Sequence, residues 1–257
     1  MTAPDDAVTW TREERLVVVR LNHPPVNALA APVVAGLDAA LDAFGASDAR
    51  VLVIVSDVPG FFVAGADLKS MASHDQDDFR RYLDALRRPV ERIASAGRPS
   101  IAVLEGQALG GGLELAMAAS LRVAGRDARL GLPETRLGLI PGAGGTQRLP
   151  RLVGRGRALD LMLTPRTIDA AEAHTIGLVD RLVDAGRAEE TALAWAAQLA
   201  TLPTSALTAV LECVDDAHDL PLAEGLQREA DRVADLFAGE DAREGVAAFL
   251  ERRRPGF

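Results

Sequence analysis

The run "RVLVIVSD", Arg50 to Asp57, constrains the fold more than any other stretch of the chain. Its apolar residues are consecutive and mostly β-branched. The alternation of a strand with one wet face is missing, so both faces of the sheet it joins must be covered. "RLVVVRLN" (Arg15 to Asn22) and "SIAVLEG" (Ser100 to Gly106) have the same character. Covering such a sheet requires helices, and Leu29, Val33, Leu37, Leu41 and Phe44 recur at helical spacing between the first two runs. "DFRRYLDALRRPVERIASA" reads as an amphipathic helix broken near Pro89. Short strands are predicted at "RVAG" and "ARLGL", followed by the Gly/Pro-rich loop "GLIPGAGGTQRLP". Beyond Arg151 the pattern is mainly helical. The expected class is α/β with a helical C-terminal region.

Composition narrows the setting. With 257 residues, 48% of them hydrophobic and 25% charged, the chain can bury a full core. "MTAPDDAVTW" lacks the pattern of a secretory signal or transit peptide, and no apolar run approaches the roughly 18 residues of a spanning helix. The lone Cys213 fits a reducing compartment, so a cytoplasmic location is expected. A net charge of -9 argues against nucleic acid or an anionic membrane as partner. His23, His74, His174 and His218 show no ligand spacing, and no metal is expected.

Chemistry concentrates in "GQALGGGLELAMAAS", Gly106 to Ser120, which passes from a buried strand into a helix. Three adjacent glycines cost more backbone entropy than a turn requires, so something must approach that backbone closely. A helix N-terminus offers unpaired N–H groups to an anion or to an oxygen gaining charge. The spacing matches neither a P-loop nor a dinucleotide fingerprint. An oxyanion hole is the alternative, and the small residues of "FFVAGADLK" (Phe61 to Lys69) can supply its second donor. Two carboxylates stand nearby in sequence. Glu114 follows the glycines, and Glu134 lies in "GLPETRLG". Taken singly, Glu114 reads equally well as a helix-dipole partner and Glu134 as a solvated loop charge.

Together, "FFVAGADLK", "IAVLEGQALGGGLELAMAASLRVAG", "ARLGLPETRLGLIPGAGGTQRLPRLVG" and "REGVAAFLERRRPGF" resemble the enoyl-CoA hydratase/isomerase family, the crotonase superfamily. The resemblance implies a ClpP/crotonase-like spiral of repeated ββα units over residues 1–195 and a helical trimerisation region over 196–257. A homotrimer or homohexamer is implied, with an acyl-CoA thioester as substrate and no separate cofactor. It assigns the backbone N–H groups of Ala66 and Gly111 to the oxyanion hole. Glu114 becomes the base toward water, and Glu134 the proton donor to the α carbon. Two close carboxylates in an apolar pocket should not both ionise, which predicts one raised pKa.

The resemblance also implies CoA or substrate contacts. Ala64, Gly65, Asp67, Leu68 and Lys69 lie in the loop that follows the adenine end of CoA, with Lys69 meeting a phosphate. Gly110 and Pro133 flank the catalytic residues, and Pro141 and Gly142 shape the acyl pocket. Pro25 and Val26 fall in "NHPPVNAL", one residue shorter than the commoner form. Arg252 reaches a CoA phosphate, though a basic helix end facing its own dipole explains that residue equally well. The implied activity is reversible hydration of a trans-2-enoyl-CoA to a 3-hydroxyacyl-CoA. The alternatives are a Δ3,Δ2-enoyl-CoA isomerase, which needs only the carboxylate at Glu134, and an acyl-CoA-binding member without catalysis.

Overall fold

Two parallel ladders built in step organise the computed structural model, which describes residues 6–257. The chain starts with the antiparallel hairpin β1 (Val8–Glu13) and β2 (Leu16–Leu21), then α1 (Ala31–Gly45). Next come β3 (Val51–Ser56), β4 (Phe61–Val63), α2 (Leu68–Met71) and α3 (Gln76–Ala94). The second turn is β5 (Ser100–Leu104), β6 (Gln107–Leu109) and α4 (Gly111–Ala118). The third is β7 (Leu121–Gly125), β8 (Arg129–Gly131) and a 3-10 turn at Glu134–Leu137. In each turn the first strand extends one sheet, in the order β3-β5-β7, and the second extends another, β4-β6-β8. This repeat of strand, strand and helix is the crotonase spiral.

The rest of the chain wraps this spiral: α5 (Gly145–Val153), α6 (Arg155–Leu163), β9 (Ile168–Asp169), α7 (Ala170–Thr175), β10 (Arg181–Val183) and α8 (Ala188–Leu199). Helices α9 (Thr204–Asp219), α10 (Leu222–Phe237) and α11 (Glu240–Glu251) follow. The β3 run is buried on both faces, as its pattern requires. Leu52 and Ile54 join the main core, whereas Val51, Val53 and Val55 pack with Ala188, Ala192 and Ala196 of α8. Alanines at those positions let the helix lie close to the strands.

Several details differ from the sequence expectation. Helix α3 runs unbroken through Pro89. Although an interior proline costs about 3 kcal/mol, Pro89 is itself buried with Leu86, Val90 and Ile93, and Asp75 caps the start by accepting the Asp77 and Asp78 N–H groups at 2.9 and 2.8 Å. Burial of that face and a well-made cap outweigh the lost bond. Leu29 does not belong to α1, which starts at Ala31 with Pro32 in its first turn; instead it bridges Ala66. "GTQRLP", expected as loop, opens α5.

Candidate active site

The strand-to-helix passage enters α4 through Gly110, whose φ of 53° and ψ of -127° suit only glycine. The Gly110 carbonyl accepts the Glu114 N–H at 3.0 Å. A trans peptide carries its C=O and N–H in opposite directions, so this bond turns the Gly111 N–H out beyond the helix end. The same geometry recurs one layer away. Gly65 O accepts the Leu29 N–H at 2.8 Å, which points the Ala66 N–H of that peptide away from Leu29. The two segments touch: a Cβ built on Gly65 would stand 3.9 Å from Gly111 N, and one on Gly111 would stand 3.8 Å from Ala66 N. Neither N–H has a backbone acceptor among the described residues.

Both segments line a cavity of about 150 Å³ that also admits Glu114 and Glu134. Its walls are apolar, and Met71, Phe79, Leu83, Leu137, Leu139 and Ile140 are among the residues that line it. Glu114 is 2% exposed. Its Oε1 accepts the N–H groups of Ala143 and Gly145, both at 2.7 Å. The helix start it meets is thus that of α5 rather than its own. Burial pushes the Glu114 carboxyl up, while those two N–H groups and the Arg148 charge oppose the rise. Glu134 has no such clamp, and its buried Oε2 has no hydrogen-bond partner among the described residues. Burial pushes its carboxyl up to about 7, with the Glu114 charge adding a smaller push. Desolvation, more than repulsion within the pair, therefore moves both carboxyls upward, and the N–H groups and Arg148 charge that act on Glu114 set the two apart.

This shift ties stability to pH. Between the ordinary carboxyl value of 4.5 and about 7, the unfolded chain has released this proton while the folded chain keeps it. Raising pH through that window favours the unfolded state. Glu134→Gln removes the penalty, so its melting temperature relative to wild type is expected to rise as pH goes from about 5 to about 8. Thermal melts at both pH values check this, and a gap independent of pH would contradict it.

Of the remaining expected contacts, Ala64, Leu68, Pro133 and Gly142 line the cavity. Asp67 does not. It caps α2, accepting the Lys69 and Ser70 N–H groups at 3.2 and 3.3 Å, and Lys69 is exposed on that helix. Val26 O accepts the Ala64 N–H at 3.0 Å, so it braces the loop from behind, next to Pro25 with its cis peptide. Pro141 was expected at the acyl pocket, yet it is buried behind the wall: a Cβ on Gly145 would come within 2.7 Å of its own Cβ. Arg252 is exposed at the end of α11 and does not line the cavity, while its neighbour Arg253 pairs with Glu244. Sequence reasoning missed the Ala143 and Gly145 donors and Arg148, which bonds Ala143 O at 3.1 Å and Glu91 at 3.0 Å. The small residues of "GAGG" were the available signal.

The enoyl-CoA hydratase/isomerase family profile matches residues 11–257. A probable enoyl-CoA hydratase of Rhizobium meliloti (strain 1021) is 43% identical over 244 residues, covering 95% of this chain and 94% of that protein. Among solved structures, Pseudomonas aeruginosa DspI superposes with a TM-score of 0.95 at 36% identity, covering 100% of this chain and 98% of that one. An enoyl-CoA hydratase from Geobacillus kaustophilus HTA426 gives 0.94 at 35% identity, over 99% and 97%. The chain belongs to the enoyl-CoA hydratase/isomerase family and has its crotonase fold.

Proposed function

We infer that the protein is a 2-enoyl-CoA hydratase that adds water reversibly across the double bond of a trans-2-enoyl-CoA. The observation that carries this reading is the presence, in one apolar cavity, of two glutamates in unlike electrostatic surroundings beside two converging backbone N–H groups. Ala66 and Gly111 donate to the thioester oxygen, which gains charge as the addition passes through an enolate-like state. Glu114, whose ionised form is supported by the Ala143 and Gly145 N–H groups, takes a proton from water as the oxygen attacks the β carbon. Glu134, kept protonated toward neutral pH by burial, delivers a proton to the α carbon. In dehydration the two exchange roles.

An isomerase needs one carboxylate to remove and return a proton on carbon. The clamp on Glu114 would then be superfluous, which favours hydration. The exposed apolar stripe of Leu222, Leu226, Val233 and Phe237 on α10, with Phe249 and Leu250 on α11, supports assembly into the homotrimer or homohexamer that the family resemblance implies. With crotonyl-CoA, the 2-enoyl thioester absorbance is expected to fall, and chromatography should identify 3-hydroxybutyryl-CoA. Conversion of a 3-enoyl-CoA with crotonyl-CoA left untouched would replace this reading by the isomerase. Binding without turnover of either would leave a non-catalytic acyl-CoA protein.

A further inference from the structure

One half-buried hydroxyl at the cavity has no part in these steps. Tyr82, the chain's only tyrosine, reaches from α3 to the cavity wall. Its Oη accepts the Asp67 N–H at 3.0 Å and donates to Leu29 O at 3.0 Å. These are the two chain segments that meet in the Leu29–Ala66 bridge. The bridge is tied on one flank by the Leu29 N–H on Gly65 O, and on the other by the phenol. The Gly65–Ala66 and Ala66–Asp67 peptide planes are therefore both anchored, one through each tie. Ala64, Gly65 and Ala66 have no long side chain to hold the loop, and Gly65 sits at a φ of 115°. External bonds must fix it.

The phenol is itself held. The His74 ring lies 5.6 Å from it at 54°, and His74 Nε2 meets Ser70 Oγ at 3.1 Å. Burial pushes the Tyr82 hydroxyl above its ordinary value, so it retains its proton, and with it the bond to Leu29 O, through the neutral range.

We propose that Tyr82 is a positioning residue: its hydroxyl, by joining Asp67 N to Leu29 O, locks the Ala66–Asp67 peptide and so keeps the adjoining Gly65–Ala66 peptide from turning, with the Ala66 N–H aimed at the thioester oxygen. This role rests on the hydratase reading, in which that N–H is a donor. A hydroxyl that merely fastened α3 to the loop would affect melting and leave turnover by the folded enzyme intact.

Tyr82→Phe keeps the ring and the cavity wall and removes one oxygen. For crotonyl-CoA, kcat is expected to fall between about tenfold and a hundredfold, the range set by a misplaced rather than deleted donor, while KM changes little. The single tyrosine allows a second measurement on a folded protein with the oxygen in place. Replacing it with 3,5-difluorotyrosine makes the phenol more acidic. Its ionisation removes the donor to Leu29 O, so the fluorinated enzyme should show a further loss of kcat at the pH where its phenol ionises, added to the Glu134 limb that all three forms share and absent from both wild type and Tyr82→Phe. If Tyr82→Phe fails to fold, the fluorinated enzyme carries the test. Wild-type kcat in Tyr82→Phe, or a wild-type pH profile in the fluorinated enzyme, would overturn the role of Tyr82 while wild-type hydration kept the hydratase reading intact. Wild-type enzyme that does not hydrate crotonyl-CoA would remove both.

Discussion

Glu114→Gln and Glu134→Gln should each lower kcat for crotonyl-CoA hydration by about a hundredfold or more. Both substitutions preserve size, and each fails for a different reason. At position 114 the amide oxygen can still accept the Ala143 and Gly145 N–H groups, now held at 2.7 Å by Oε1. The NH2 then takes the place of Oε2 and offers a donor where water needs an acceptor. At position 134 the amide has no proton to deliver to carbon. Because the two act on one water and one substrate, the double variant should be little worse than either single one.

The pH profile separates them. Hydration needs Glu134 protonated, so wild-type kcat/KM should fall as pH rises past about 7, where that carboxyl ionises. It needs Glu114 ionised, so the acid limb belongs to Glu114, whose burial moves that limb above the ordinary carboxylate range. The residual activity of Glu134→Gln should lack the alkaline limb. If only Glu134→Gln is impaired, and a 3-enoyl-CoA is isomerised, the two-carboxylate mechanism fails.

How much of this was legible in the chain depends on the range over which each feature is encoded. The burial of β3 on both faces is written in its own residues, and the structure divides Leu52 and Ile54 from Val51, Val53 and Val55 as such a run demands. The glycines at 110–112 announced a close approach for the same local reason. Strands β4 and β6 have three residues each, too few to show a period, and they exist because β8 and the spiral beside them supply partners. The continuity of α3 across Pro89 is decided by what its buried face meets. The unlike surroundings of the two glutamates come from α5 and the loop before it, where Ala143 and Gly145 reach back to Glu114 and leave Glu134 unclamped. Tyr82 is similar, since no local pattern announces that a hydroxyl on α3 will join two other segments.

The three adjacent glycines answer to three different demands, and the third of them yields the largest expected loss of stability. Gly110 supplies a backbone conformation, and Gly111 supplies an approach to its N–H. Gly112 supplies contact: a Cβ there would overlap the Val63 carbonyl oxygen and stand 2.7 Å from Val63 Cβ. The obstacle is backbone of β4, which cannot turn aside as a flexible side chain would. Gly112→Ala is therefore expected to cost at least about 3 kcal/mol, a fall in melting temperature of roughly 6 to 12 °C. The same substitution has the opposite sign where nothing is in the way. Gly156, in the first turn of α6, has no atom within 4 Å of its missing Cβ, so Gly156→Ala should be neutral or stabilise by up to about 1 kcal/mol. Thermal and urea melts of the pair separate close packing from helix propensity, because propensity alone would make both variants more stable. The overlap also carries a catalytic consequence. Relieving it must push α4 away from β4, and α4 carries both the Gly111 N–H and Glu114. Gly112→Ala should accordingly lose turnover even at temperatures where it remains folded, whereas Gly156→Ala should keep it.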